Sequence, residues 1–485
     1  MRGFLSPSQR YAGTLAITLS VLIGSTFLKA ETAKNIVLFI SDGCGYNHID
    51  AASIYQYGGT GTQVYERFPV QYGVSTYMVY VDSLGNTVER GYDPVKAWDD
   101  FGYVTGYYTC SAAAATAMST GIKTSVGALG VDPKRQPLRH IAELAEDLEK
   151  ATGVVTSVQL SHATPAGFLV HNVSRHNYIG IAREMILSSP CDVILGCGHP
   201  FFDDDGRSTT DVEYKYVGGK GVWRGLREGA VEFDVDCDGI VDTQVSDADG
   251  DGVADPWTFI QARSEFEAFM VDPPPKRVIG VPQVRSTLQC NRSGPKGKSD
   301  VETVETPFST PFHATVPTLE EMTRVALNVL DNDQDGFFLM VEGGAVDWAG
   351  HDWNSARTIE EQIDFNRSVE TVVLWVEVNS SWDETLVIVT GDHETGYLTG
   401  PGSGPVNNNR RNGTSAVWNS LYNNGRGNLP GMEWHRESHT NSLIPLYAKG
   451  VGSERFHKCV KGNDPVRGPY VDNTDVARVM WESFK

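Results

Sequence analysis

The chain has 485 residues and a formal net charge of −21, from 61 Asp and Glu against 40 Lys and Arg. That balance excludes nucleic acid as an expected partner, since phosphate-backbone binding rests on Lys and Arg, and it requires an anionic substrate to be drawn in by local charge rather than by the overall field. Hydrophobic residues at 40% and charged residues at 21% exclude extended disorder, and 50 glycines point to many tight turns and close backbone approaches.

In chain order, residues 1–30 read as a secretory signal peptide. Arg2 and Arg10 precede an apolar run from Ala12 to Leu28, and Leu28-Lys29-Ala30 resembles a small-residue cleavage site. The alternative is an uncleaved anchor, for which the run is a little short. No other stretch could span a bilayer, so no membrane span is expected in a mature chain that starts near Glu31 and is exported, periplasmic or secreted. Seven cysteines without a C-x-x-C or a dense framework leave at least one thiol unpaired within the chain, and Cys44 and Cys110 are expected as free thiols.

Six apolar runs rich in β-branched residues follow: Ile36 to Ile40, Val154 to Leu160, Asp192 to Leu195, Phe337 to Val341, Leu386 to Val389 and Leu443 to Tyr447. Helical stretches separate them, which is the pattern of the α/β class with a central, mostly parallel sheet covered by helices on both faces. Ligands collect beyond the carboxyl ends of strands in such sheets, so the residues just after these runs are the ones that matter.

The first run ends in Ser41-Asp42-Gly43, a carboxylate among glycines. Thr109-Cys110-Ser111 then opens an alanine-rich helix closed by Gly121. Ser111 at its start reads either as an ordinary N-cap or as a nucleophile where the helix dipole and free N–H groups favour an alkoxide or a phosphate. After the second run come His162, Thr164 and, about three helical turns on, Arg175, whose guanidinium is either a surface group or a fork for two phosphate oxygens. The fourth run leads into Glu342, Asp347, Trp348 and His351, the aspartate and histidine at a spacing that aims both side chains one way on a helix. The fifth ends in Asp392-His393, and His439 precedes the sixth. Sorted by ligand chemistry, these side chains can fill two mixed histidine and carboxylate zinc sites and one all-oxygen magnesium site.

Two regions break the alternation and read as insertions, at about 201–310 and 400–431. The first twice states D-x-D-x-D-G-x-x-D, with Asp234, Asp236, Asp238 and Asp242, then Asp247, Asp249, Asp251 and Asp255. Alternating carboxylates around a glycine turn suit Ca²⁺; the alternative is a solvated acidic loop. A third look-alike, Asp331 to Gly336, runs straight into a strand and reads as a turn.

Taken together these residues resemble the alkaline phosphatase family from about Asn35 to the C-terminus. The likeness rests on Asp42-Gly, Thr109-Cys-Ser111 with its alanine run, Ala163-Thr164-Pro with Arg175, Val341-Glu342-Gly with Asp347 and His351, Asp392-His393, and His439-Thr440. It implies one catalytic domain over 31–485, with the 400–431 insertion crown-like, and a homodimer. It also implies zinc held by Asp347, His351 and His439, a second zinc by Asp42, Asp392 and His393, and magnesium by Asp42, Thr164 and Glu342. The activity implied is hydrolysis of small phosphate monoesters through a phosphoserine at Ser111, with Arg175, His162 and Trp348 at the substrate. The chain departs from the enterobacterial pattern at Cys110, His162 and Trp348, and its His/Trp pair is similar to that of marine bacterial members. A phosphodiesterase of the same superfamily is the near alternative; the sulfatase signature Cys-x-Pro-x-Arg is absent at Cys110. A calcium-dependent surface protein on a phosphatase scaffold is the alternative of another class.

Overall fold

All six apolar runs form strands of one sheet. The structure is a computed structural model that describes residues 32–295, 305–406 and 415–485; the signal-peptide segment 1–30 lies outside the described residues. The main sheet holds β1 (Asn35–Ser41), β2 (Val70–Ser75), β3 (Ala151–Gln159), β4 (Val193–Cys197), β5 (Thr258–Ile260), β6 (Val278–Gly280), β7 (Phe337–Gly343), β8 (Thr385–Gly391), β9 (Ile444–Gly450), β10 (Gly462–Asp464) and β11 (Gly468–Asp472). Their order is β10-β11-β2-β9-β8-β1-β7-β3-β4-β6-β5. From β8 to β5 every neighbour is parallel, while β9 runs antiparallel to both β8 and β2.

Helices cover both faces because the central strands are apolar on both. Ile36, Leu38 and Ile40 of β1 pack into one core with the alanine face of a helix at Ser111–Thr120, and Val37 and Phe39 point into a second core on the other side. The helices used below are α1 (Tyr46–Tyr57), α2 (Ser111–Thr120), α3 (Ile141–Glu146), α4 (Ala163–Ala166), α5 (Leu319–Leu330), α6 (Ala345–His351), α7 (Ser355–Asn379) and α8 (Asn473–Phe484). The first core is closed by α2, α3 and α8, and the second by α5 and α7.

The stretch from about 201 to 310 is more continuous with the sheet than its composition foretells. Its β5 and β6 add two strands of three residues each, too short to show a period in sequence. Within 400–431, Gly404–Val406 pairs with Ser415–Val417, and Leu421 and Leu429 pack over Ala51 and Ile363 of α1 and α7. All seven cysteines are free thiols. Among the described residues no helix is long and apolar enough to cross a membrane.

Candidate active site

Strand register assembles the first ligand-type residues. In β1, Ser41 lies opposite Gly343 of β7 and Gly391 of β8, so Asp42 and Asp392 leave the sheet at one level. Glu342 sits in β7 beside Ile40 on one side and Thr156 of β3 on the other, and the Thr156 hydroxyl donates to its Oε2. Helix α6 then stacks Asp347 and His351 one turn apart, with His351 Nε2 3.3 Å from Asp347 Oδ2. His439 arrives from far along the chain through an antiparallel pairing with Thr395, just past β8. Gly43 makes the approach possible: its φ is +74°, and a Cβ there would fall 2.7 Å from the Asp347 Cα.

Two donor sets result, side by side. In the first, His439 Nε2 is 3.5 Å from Asp347 Oδ1 and 3.2 Å from His351 Nε2. His351 Nδ1 donates to the Glu437 carbonyl at 2.6 Å and His439 Nδ1 to the Thr109 carbonyl at 2.9 Å. A carbonyl can only accept, so both Nε2 atoms present lone pairs to the Asp347 carboxylate and to each other, an arrangement that repels unless a cation sits among them. In the second set, His393 Nε2 is 3.2 Å from Asp392 Oδ2 and 3.6 Å from Asp42 Oδ1. The rings of His393 and His439 stack at 3.6 Å, which makes the two sets neighbours.

A third set is made of Asp42, Glu342 and Thr164, with the His162 imidazole beside the two carboxylates. Both Asp42 oxygens, Asp392 Oδ2, Glu342 Oε1 and the Thr164 hydroxyl are buried and unpaired within the protein. Buried polar atoms are ordinarily satisfied, so this concentration of orphans fits divalent cations: histidine with carboxylate for zinc, oxygen donors for magnesium.

Electrostatics point the same way. Burial and the charges of Asp392, Asp347 and Glu342 push the Asp42 carboxyl well above the usual range. Burial raises Glu342 and Asp392 to about 7 each. Asp347 is the exception: burial acts to raise it, but the imidazoles of His351, His439 and His393 outweigh burial and hold it well below the usual range. Burial, reinforced by His439, keeps His393 neutral by depressing it far below the ordinary imidazole value.

The Ser111 hydroxyl reaches this cluster. It is the first residue of α2, and its Oγ lies 3.4 Å from His393 Nε2. Cys110 holds the N-cap position, without a side-chain capping bond, so Ser111 stands one residue inside the helix and is not its cap. Arg175 is not on one continuous helix with Thr164: α4 lasts a single turn and the chain returns by a loop, because Pro165 and Gly167 follow Thr164 and the segment instead pairs Asn172 with Leu129. That loop brings Arg175 Nη2 to 3.1 Å from His162 Nε2. His162 and Trp348 meet edge to face at 5.8 Å. Ser111, Arg175, His162, Trp348, His351 and His439 line one open cavity of about 950 Å³.

The two Asp-rich repeats fold into loops with one shared hydrogen-bond pattern. Asp234 accepts from Gly239 N as Asp247 accepts from Gly252 N, five residues on in each repeat, and Asp238 and Asp251 each cap the residue two further on. Asp234, Asp236 and Asp242 gather in the first loop, where Arg224 also pairs with Asp234. In the second, the Lys276 ammonium lies 2.5 Å from Asp249 and 2.6 Å from Asp255, so two of the four carboxylates there already hold a cation. The third look-alike is a turn, with Asp335 N bonded to Asp333 and Gly336 at φ +93°.

Sequence reasoning passed over the groups that orient the ligand-type residues. Thr395 donates to Asp347 Oδ1 at 2.5 Å and stands 3.4 Å from His393 Nδ1, and Thr156 holds Glu342. The carbonyls of Thr109 and Glu437 carry no side-chain signature at all. Thr395, two residues after His393, was the one with a signal, since a strand-end threonine beside a candidate ligand is a natural partner for it.

A sequence model of the alkaline phosphatase family matches residues 33–440. Among curated relatives, the alkaline phosphatase of Escherichia fergusonii is 30% identical over 390 residues, covering 76% of this chain and 71% of its own. Alkaline phosphatase 3 of Bacillus subtilis is 30% identical over 374 residues, with 76% and 62% covered. Among solved structures, the alkaline phosphatase of the Antarctic bacterium TAB5 superimposes with a TM-score of 0.58 at 24% identity, covering 93% of this chain and 98% of that one. The cold-active enzyme from Shewanella sp. gives a TM-score of 0.59 at 21% identity, with 93% and 100% covered. At these identities the structural likeness is one of fold.

Proposed function

The chain belongs to the alkaline phosphatase family, and on that premise we propose that it is a metal-dependent phosphomonoesterase whose nucleophile is Ser111. The observation that carries the reading is the 3.4 Å approach of the Ser111 hydroxyl to His393 Nε2, at the junction of two donor sets whose lone pairs face one another.

Asp347, His351 and His439 would hold one zinc, Asp42, Asp392 and His393 a second, and Asp42, Thr164 and Glu342 a magnesium. When bound, such ions supply fixed positive charge at the phosphoryl oxygens and lower the pKa of a neighbouring hydroxyl or water. The chain's own groups do the rest. Ser111 attacks phosphorus as an alkoxide at the start of α2, where the helix dipole and free N–H groups favour negative charge. The bond from phosphorus to the ester oxygen breaks, the alcohol departs with a proton, and a phosphoserine remains. Water then attacks that phosphorus and returns the serine, releasing inorganic phosphate. Arg175 spans two phosphoryl oxygens with its fork, and His162, kept neutral by burial and by Arg175 itself, accepts a guanidinium N–H and sets its direction. Trp348 walls the cavity beside His162.

The cavity is wide at its mouth, so little of the alcohol is gripped and small monoesters of varied structure are the expected substrates. Export and a homodimer are held as parts of the same reading. Calcium is proposed for the first Asp-rich loop, where Asp234, Asp236 and Asp242 converge and Arg224 reaches Asp234 alone, whereas in the second Lys276 bridges Asp249 and Asp255. The test compares hydrolysis of an aryl phosphate monoester with that of the matching diester. Faster monoester turnover, lost on chelation and restored by zinc and magnesium, supports the reading; a diester preference, or turnover indifferent to chelation, overturns it.

A further inference from the structure

One buried carboxylate beside the cluster takes no part in the reaction proposed above. Glu394 directly follows His393, and Glu394-Thr395 pairs antiparallel with His439-Thr440, Glu394 opposite Thr440 and Thr395 opposite His439. Successive side chains of a strand point to opposite faces. Thr395 and His439 face the donor sets, where Thr395 bonds Asp347 and the His439 ring stacks on His393. Glu394 and Thr440 therefore share the other face, and there the Thr440 hydroxyl donates to Glu394 Oε2.

The second carboxylate oxygen closes a turn. Glu394 Oε1 accepts from Leu398 N at 3.0 Å, across a bend in which Tyr397 adopts a φ of +49°. A bulky side chain is rarely left-handed, and such a backbone persists only where its surroundings fix it. The Glu394 stem makes a third contact. A Cβ on Gly45 would fall 2.6 Å from Glu394 Cγ, although the Gly45 φ of −93° suits any residue. Gly45 thus serves close packing, and the turn from Asp42 to Gly45 lies against Glu394. The same turn is tied to this strand by Thr395 N to Gly43 O at 2.9 Å and by Gly43 N to Asp392 Oδ1 at 2.9 Å. Glu394 is 5% exposed, and the donors its oxygens meet, a hydroxyl and a backbone N–H, are neutral. A buried carboxylate is a costly way to cap one turn, and here it joins three segments that lie far apart in the chain.

We propose that Glu394 is a positioning residue that fastens together the three segments bearing Asp42, Asp392 with His393, and His439, and so sets the separation of the two zinc donor sets. It supplies no ligand atom. Without its carboxylate, the Thr440 end of the His439 strand loses its side-chain tie to the turn after β8, and ligand sites need placement to within about 0.5 Å. The proposal rests on the reading of these side chains as zinc ligands.

The test is zinc affinity, measured by competition with a chromogenic chelator on the full chain and on Glu394→Ala and Glu394→Gln. In Glu394→Gln the amide oxygen can still accept from Leu398 N, and the Thr440 hydroxyl, which also reaches Ser442 Oγ at 2.9 Å, can turn to accept from the amide N–H. Loss of a group that orients metal ligands weakens binding by about 10- to 100-fold. That loss is expected in Glu394→Ala, with affinity restored close to the parent's in Glu394→Gln. Parent affinity in Glu394→Ala overturns the proposal. So does a Glu394→Gln as weak as Glu394→Ala, because charge rather than placement would then be at work. Should Glu394→Ala fold poorly, Thr440→Val takes its place: it keeps the volume, removes the hydroxyl donor and should bind zinc about tenfold more weakly, parent affinity again overturning the proposal. Monoester hydrolysis on the same samples separates the two readings. A parent that binds zinc but hydrolyses no monoester sinks the proposed function and leaves the affinity comparison standing. An active parent whose zinc affinity Glu394→Ala does not change sinks the role of Glu394 alone, and a parent that binds no zinc sinks both.

Discussion

The Ser111 hydroxyl oxygen lies 3.4 Å from Nε2 of His393, although 282 residues separate them in the chain. Neither residue belongs to a local motif with the other; they meet because α2 docks on the face of the sheet where β1 and β8 end.

If Ser111 is the nucleophile, Ser111→Ala removes a covalent step and leaves the donor sets intact. Turnover of an aryl monoester should fall by at least about a thousandfold. Elemental analysis of the same protein should find zinc and magnesium unchanged.

Thr395 acts through Asp347, to which it donates at 2.5 Å. Thr395→Val keeps the shape and removes the donor, and losses of this kind weaken metal binding by about 10- to 100-fold. Competition with a chromogenic chelator measures the change, which should appear in zinc affinity before it appears in the zinc-saturated rate.

Arg175 and lysine are not equivalent if two phosphoryl oxygens are spanned at once. Arg175→Lys should raise KM for a monoester by about tenfold to a hundredfold and weaken inhibition by inorganic phosphate to match. Steady-state kinetics at saturating zinc and magnesium provide the check.

Metal removal should turn the site into a pH-dependent liability. Burial raises Glu342 and Asp392 in the bare protein to about 7, above their unfolded values of roughly 4. A carboxyl raised on folding stabilises the fold fully only below its unfolded value, and that contribution is lost as pH climbs through the folded one. The chelated chain should therefore lose thermal stability between roughly pH 4 and 7, and the zinc- and magnesium-loaded chain should lose less. Thermal unfolding across that range, with and without chelator, reads the difference.

Much of the fold was legible because parallel strands buried on both faces are written as short, continuous apolar runs, and β1, β3, β4, β7 and β8 all follow that rule. The ligand-type residues were legible for the same reason: Asp42, Glu342 and Asp392 stand at or beside the carboxyl ends of those strands. What escaped has physical causes. Strands β5, β6 and β10 are three residues long and rest on neighbours rather than on a period of their own. The antiparallel sense of β9 is set by pairing, which its apolar pattern does not encode. The one-turn length of α4 follows from Pro165 and Gly167, and it alone decides that Arg175 approaches His162 by a loop. Backbone carbonyls such as those of Thr109 and Glu437, which orient His439 and His351, leave no trace in side-chain chemistry.

Every role given to the cluster turns on a phosphoryl group passing through Ser111. Acid-quenching the zinc- and magnesium-loaded chain during turnover of an aryl monoester, then mapping phosphopeptides by mass spectrometry, looks for that group itself. One phosphoryl group is expected on the peptide that contains Ser111, and none in Ser111→Ala. Full monoester turnover by the Ser111→Ala chain, or a phosphoryl group found on another residue, would refute the assignment.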